Sequence, residues 1–481
     1  MIFKAALSRR ALFVGLAGTF AGAIWIASRT TRRPEPVPNP TSCDSTSTEG
    51  YTQNRRIRIE HREIDPIKFP IRISEQRHYL VDAEGRPFLI VGDSAWSLLT
   101  QIDGEDADLY LEDRQAKGFN TLLVNLIEHK FSDRAPRNFF GDPPFLEPGD
   151  FGSINNRYFD YAARVLESAR SKGFLVLLAP AYVGFSGGEE GWYREMVACG
   201  EEKLREYGRF LGHRFRELSN IVWVHGGDFN PPKKSLSQAV ADGIREVWPH
   251  SLHTVHNQQE TNGLGYWNDQ EIPITIDTLY TYQPVAEKAA ALALNKEKPF
   301  VLIESRYENE LDGTPLRTRI QAWQAMLSGA AGQVFGNNPI WHFNASAVQP
   351  RLMSWKSALN SPGTLGISAL RDFFVSLPWY DLVPDDGKLV VGDPLGGHFR
   401  VSAARSSDRR LGVFYLPTPR GFTVDLTQFS ATQVKIRWFD PADGTFLQTA
   451  EQTLDVSKSC DLHTPDCSQD GDWALTVSSV S

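Results

Sequence analysis

The sequence predicts an α/β chain, a (β/α)8 TIM barrel followed by a small antiparallel β-sandwich, and three observations carry that expectation. Eight apolar runs alternate with amphipathic stretches before residue 345. The first run continues into "VGDSAWS", which lacks the Gly-rich phosphate turn that usually opens a doubly wound sheet. From about residue 386 the pattern changes to short alternating strands joined by Gly, Pro and Asp turns. A chain of 481 residues is too long for one typical domain. The predicted organisation is a signal or N-terminal membrane anchor over 1–30, a linker and N-terminal extension over 31–70, the barrel over 71–385 and the sandwich over 386–481.

The first thirty residues read as a targeting device. In "LSRRALFVGLAGTFAGAIWIAS" the pair Arg9-Arg10 precedes an uncharged apolar segment of about eighteen residues with no polar face. A cleaved secretory or twin-arginine signal and an uncleaved anchor both fit. Small residues at Ala27 and Ser28 suit cleavage, whereas "RTTRR" directly after them does not. Either way the predicted location is periplasmic, extracellular or on the outer side of the cytoplasmic membrane, with membrane attachment through this segment as one reading. "PEPVPNPTSCDSTSTEG" follows as a Pro/Ser/Thr linker that cannot build a core.

The barrel strands are expected at 87–94, 119–126, 174–181, 220–227, 252–257, 275–282, 299–305 and 332–337. Between them, stretches such as "RYFDYAARVLESARSKG" place Phe159, Ala162, Ala163, Leu166 and Ala169 at three- and four-residue intervals, with Arg164, Glu167 and Arg170 between them. One face is thereby predicted to lie against a sheet. In the C-terminal region "KLVVGDP", "HFRVSAARSS", "RLGVFYLPT", "FTVDLTQF", "QVKIRWFDPADG" and "DWALTVSS" read as the sandwich strands.

Composition narrows the partners. A net charge of -8 with 22% charged residues of both signs offers no basic stripe for nucleic acid. Aromatic content of 11%, with 12 Trp, supplies rings that can stack on sugars as well as fill a core. Export permits disulfides, and of the 4 cysteines Cys460 and Cys467 bracket a short loop that a bridge could close. Neither a CxxC pair nor an HExxH occurs, so no metal and no cofactor is expected.

In such a barrel, chemistry collects at the C-terminal ends of the strands. "VWVHGGDFNP" (222–231) ends an apolar strand with two glycines and a carboxylate, as though space were being cleared for something bulky beside Asp228. Taken alone, an Asp after Gly-Gly is better explained as a helix cap or turn residue. Glu304 ends another wholly apolar strand, and its plain alternative is an ion pair with Arg306 or with a neighbouring helix. Two carboxylates converging at one mouth are what glycoside hydrolysis requires, because the leaving oxygen must be protonated while the opposite face of the oxocarbenium-like carbon is stabilised. Asp93, Trp96, Asn125, His129, His256, Tyr282, Asn338 and Trp341 are the expected substrate-binding residues at the same strand ends. His225 falls on the opposite side of its strand from Asp228 and is expected to be structural.

These stretches resemble the apiosidase-like glycoside hydrolases, barrels often followed by a domain labelled collagen-binding. The resemblance rests on "PFLIVGDSAWSLL", "RQAKGFNTLLVNL", "IVWVHGGDFNP", "PFVLIESRYE", "RIQAWQAMLSGAAGQVFGNNPIWHF" and "LRDFFVSLPWYDLVPD", in the family's order from about residue 78 to 385. It implies that Asp228 is the general acid/base and Glu304 the nucleophile. The family's usual Asn after the Asp is replaced by Phe229, with Asn230 following. The expected activity is a retaining glycoside hydrolase acting on a polysaccharide or glycan, which predicts carboxyl carbons about 5–5.5 Å apart. Two rivals are weighed beside it. A non-catalytic carbohydrate-binding or surface structural protein would keep the scaffold without turnover. A metal-dependent barrel hydrolase would want paired His ligands on the first strand, and "VGDSAWS" has none.

Overall fold

The computed structural model describes residues 56–61, 65–294, 297–348, 353–466, 468 and 470–480. The expected N-terminal targeting segment, most of the linker and the Cys460–Cys467 pairing fall outside the described residues, since Cys467 is not among them. Eight parallel strands form the barrel: β1 (Ile90–Ser94), β2 (Thr121–Asn125), β3 (Leu175–Ala179), β4 (Ile221–Gly226), β5 (Leu252–His256), β6 (Asp277–Tyr280), β7 (Phe300–Glu304) and β8 (Gly332–Phe335). Each lies within a predicted run. Their order in the sheet is β6-β7-β8-β1-β2-β3-β4-β5.

The seam between β5 and β6 closes the ring with little regular ladder. One bridge joins His253 to Ile274, and the Thr275 N–H donates to the His253 carbonyl at 2.7 Å. Threonine hydroxyls complete the seam, Thr254 to the Ile276 carbonyl at 2.6 Å and Thr278 to the Val255 carbonyl at 2.9 Å. Side chains thus satisfy carbonyls that a looser backbone pairing would strand.

Alternation along the strands sorts two layers of core. Ile90, Leu123, Leu175, Leu177, Val222, Val224, Val301 and Val334 fill the interior. Val91, Leu122, Val124, Val176, Leu178 and Trp223 face the helices. The main helices are α1 (Gly104–Ala116), α2 (Asn156–Ser171), α3 (Tyr193–Phe215), α4 (Ser235–Val247), α5 (Val285–Ala293), α6 (Pro315–Leu327) and α7 (Pro362–Val375). In α2 the predicted positions Phe159, Ala162, Leu166 and Ala169 are buried, and the Asn155 side chain caps the start by accepting from the Arg157 N–H.

The C-terminal strands are β9 (Leu382–Pro384), β10 (Val390–Val391), β11 (Ser402–Ser406), β12 (Leu411–Leu416), β13 (Gly421–Asp425), β14 (Gln433–Asp440), β15 (Thr445–Asp455), β16 (Ser459–His463) and β17 (Trp473–Ser479). One antiparallel sheet runs β15-β14-β17-β12-β11-β9, with Arg56–Arg58 added at the edge of β15, and a second runs β10-β13-β16. Their facing side chains, among them Phe414, Phe422, Trp438 and Trp473, form a core of their own. The edge strand Arg56–Arg58 comes from the stretch read as linker and extension, and Arg56 binds Asp440 at 2.8 Å and Asp443 at 2.5 Å.

Barrel and sandwich belong to one compact unit. Trp323 of α6 stacks on Tyr415 of β12, centroids 5.2 Å apart, and packs against Phe373 and Phe374 of α7. Buried Arg319, also on α6, donates to both oxygens of Asp472 at 2.9 and 3.0 Å, and the Tyr415 hydroxyl donates to the same carboxylate at 2.9 Å.

Candidate active site

The C-terminal ends of β4, β5 and β7 bring Asp228, His256 and Glu304 together, with an oxygen or ring nitrogen of each within 4.8 Å of the others. Backbone irregularities aim both carboxylates. Beyond β4 the chain runs through Gly226 (φ 94°), Gly227 (φ 127°) and Asp228 (φ 43°), all at positive φ. A Cβ on Gly226 would lie 2.5 Å from the His256 carbonyl oxygen, and one on Gly227 2.1 Å from Cδ2 of Tyr182. The glycine pair therefore makes room for the neighbouring strand and for the tyrosine that meets Asp228. On β7, Leu302 pairs with Leu279 but Glu304 pairs with Tyr280 across a register shift. The extra residue is a bulge, and it sets Glu304 on the inward side that Tyr280 shares.

Hydrogen bonds then fix the two groups. The Tyr182 hydroxyl donates to Asp228 Oδ2 at 2.6 Å. Glu304 receives Tyr282 on Oε1 at 2.9 Å, and Tyr307 and His256 Nε2 on Oε2 at 3.1 and 3.2 Å. The Asp228 N–H points at His256 Nδ1 at 3.3 Å. A ring nitrogen facing an N–H must be the acceptor, so neutral His256 carries its proton on Nε2 and donates it to Glu304. Burial first, and then the charges of Asp228 and Glu304, hold the phenols of Tyr280 and Tyr282 well above the usual tyrosine range, so both remain donors. The Arg306 guanidinium sits 4.4 Å over the Tyr282 ring.

Two carboxylates and an imidazole at this spacing are also a set of metal donors. The tautomer tells against that use, because the Nε2 atom facing Glu304 presents a proton rather than a lone pair. The arrangement is that of a hydrogen-bonded carboxylate cradle.

The expected substrate-binding residues divide by place. Trp96 donates to the Tyr307 hydroxyl at 3.0 Å and packs against His256 and Tyr182. With His256 and Tyr282 it surrounds the carboxylates. Trp341 packs on Phe131 and donates to Glu310 at 2.8 Å, and Asn338 holds His342 at 3.0 Å. Asn125 donates to buried Glu128 at 3.0 Å, and Glu128 also accepts from backbone N–H groups of His129 and Phe131. His129 pairs with Glu195 at 3.0 Å beside Trp192. Asp93 is turned out of the barrel altogether. It accepts from Tyr110 at 2.8 Å and faces Arg114 at 3.4 Å, both on α1. Burial pushes its carboxyl up to about 6, against the pull of Arg114. Its neighbour Ser94 faces inward instead, 3.0 Å from the Tyr307 hydroxyl. As predicted from alternation, His225 lies outside the barrel, stacked on His253.

Tyr182 and Tyr307 are the site residues that sequence reasoning undervalued. Both follow a strand end by three residues, in "APAYVG" and "ESRYEN", where no periodicity reports orientation.

No curated protein matches the chain. Among solved structures, a glycoside hydrolase family 5 protein from Bacteroides vulgatus superposes with a TM-score of 0.74 at 21% identity, covering 85% of this chain and 93% of that one. A second structure described as a glycoside hydrolase gives 0.73, also at 21% identity, covering 85% and 96%. At that identity the likeness speaks for the fold. Residues 383–478 match a family model described as "Putative collagen-binding domain of a collagenase". Residues 74–381, more than half of the chain, match the model of the apiosidase-like catalytic domain, and the protein belongs to that family.

Proposed function

We propose that the protein is a retaining glycoside hydrolase in which Glu304 is the nucleophile and Asp228 the general acid/base. Family membership supports a glycosidase. The observation that carries the finer reading is the approach of an Asp228 oxygen and a Glu304 oxygen to within 4.8 Å. Retaining enzymes hold their carboxyl groups about 5–5.5 Å apart, whereas inverting ones need about 6.5–9.5 Å to admit a water.

In the first step a Glu304 oxygen forms a bond to the anomeric carbon as the bond to the leaving oxygen breaks, and Asp228 gives that oxygen its proton. In the second, Asp228 as carboxylate takes a proton from water, the water oxygen bonds to the anomeric carbon, and Glu304 departs. The donors on Glu304 suit a group that is ionised when it attacks and when it leaves.

The test is a panel of plant and bacterial polysaccharides and aryl glycosides with analysis of released sugars. Glu304→Gln is expected to lose activity by several orders of magnitude on every substrate the parent cleaves. Asp228→Asn is expected to lose most on substrates with poor leaving groups, since an activated aryl group departs with little protonation. Near-parent activity in both variants would end the assignment. We propose further that the enzyme acts after export, on the apolar segment behind Arg9-Arg10. Fusing residues 1–50 to a reporter should send it across or into the membrane, and a soluble cytoplasmic reporter would refute this. Among the described residues no helix is long and apolar enough to cross a membrane.

A further inference from the structure

Tyr182 is held more firmly than a core aromatic requires. It follows β3, and its carbonyl accepts from the Trp192 N–H at 2.8 Å, while the next residue, Val183, donates its N–H to the Gly226 carbonyl at 3.1 Å. Two residues before it, the Pro180 carbonyl accepts from the Tyr207 hydroxyl of α3 at 2.8 Å. The ring lies against Trp96 on one side, centroids 6.0 Å apart, and in the space left by the absent Cβ of Gly227 on another. All of this delivers one phenolic proton to Asp228 Oδ2 at 2.6 Å.

We infer that Tyr182 is a positioning residue which ties up Oδ2 and so assigns the other oxygen, Oδ1, to carry the proton exchanged with the leaving group and with water. This rests on the reading of Asp228 as acid/base, and it deepens that reading. A carboxylic acid whose two oxygens are equivalent can rotate its proton away from the glycosidic oxygen. One with a donor on Oδ2 cannot place its proton there without losing that hydrogen bond. The donor also favours the carboxylate form that the second step needs as base. Among the described residues, other titratable groups facing Asp228 include His256, which accepts its N–H, and the phenols of Tyr280 and Tyr282, which feel its charge.

The experiment uses the full chain and needs no substrate. Protein with 13C at the aspartate carboxyl carbons is titrated by NMR, the Asp228 signal being the one absent from Asp228→Asn. Tyr182→Phe removes only the hydroxyl, and it should raise the titration midpoint of that signal by about one pH unit, the worth of one hydrogen bond to a charged acceptor. On any aryl glycoside the parent cleaves, the basic limb of kcat/KM should move to higher pH by the same amount. A midpoint that stays put or falls in Tyr182→Phe overturns the inference. Failure of the catalytic reading would look different, with the midpoint raised in Tyr182→Phe while Asp228→Asn still hydrolyses substrates with poor leaving groups as fast as the parent.

Discussion

Replacing Gly227 by alanine would set a methyl 2.1 Å from Cδ2 of Tyr182, at a φ of 127° that side-chain-bearing residues rarely adopt. Strain of this kind costs about 1–3 kcal/mol before any clash is relieved. The neighbouring main chain is pinned by the Gly227 N–H to the His256 carbonyl at 2.5 Å, so the yielding part is the tyrosine ring. Gly227→Ala should therefore lower stability in urea unfolding and weaken activity together, whereas Tyr182→Phe should alter pH dependence with a smaller loss of stability. Equal stability of parent and Gly227→Ala would show that the loop can move where the packing says it cannot. The need for space beside Asp228 was legible in "HGGD". What fills it was not, because Tyr182 lies forty-six positions earlier and only the closed barrel brings it back.

At the scale of elements, all eight barrel strands were legible because parallel strands buried on both faces read as continuous apolar runs. That same property hides orientation. Asp93 and Ser94 both end β1, and nothing in "LIVGDS" tells which faces the helices; α1 decides it by offering Tyr110 and Arg114 to Asp93. The bulge that turns Glu304 inward has no sequence mark either, since "FVLIES" is regular in type. In the sandwich, β15 escaped detection because "TFLQTAEQTLD" carries too few apolar residues to alternate clearly. A different consequence follows on β4 and β5. His225 Nε2 lies 2.9 Å from His253 Nδ1, and burial pushes the first down to about 3 and the second well below the usual range. Between about pH 6.5 and 3 the unfolded chain takes up protons there that the folded chain refuses, so stability falls as pH drops through that window. Asp93 acts in the opposite sense, stabilising most below its ordinary 3.8 and losing that contribution as pH rises through about 6. Replacing His225 by Asn should flatten the fall in urea-derived stability from pH 6 to 4.5 by about 1.4 kcal/mol per pH unit. Identical slopes would mean that the pair is not kept neutral by folding.

For the whole molecule, the question is whether the sandwich is an appendage or part of the enzyme's fabric. Its loop at Gly397 donates an N–H to Glu287 of α5 at 2.8 Å and accepts from Gln324 of α6 at 3.2 Å. Burial first, and then the charge of Arg317, hold neighbouring His398 below the usual imidazole range, and Arg317 itself donates to the carbonyl of Tyr282, whose hydroxyl donates to Glu304. The domain thus reaches residues that back the catalytic mouth. The larger tie is underneath, where Arg319 is 1% exposed and held in its charged form by Asp472 although burial opposes that charge. A buried ion pair of this kind adds little over a well-packed apolar replacement, but breaking one half strands the other. Arg319→Leu should accordingly cost about 3–5 kcal/mol, read as a lowered urea midpoint, because among the described residues the Asp472 carboxylate then keeps the Tyr415 hydroxyl as its donor. Adding Asp472→Asn should recover a large part of that loss, since the stranded charge is gone. The aromatic contact of Trp323 with Tyr415 and the α7 phenylalanines survives in both variants, so both should still unfold in one cooperative transition. Two separate transitions, barrel and sandwich melting independently, would show that the interface joins two self-sufficient domains and that the fold does not depend on their union.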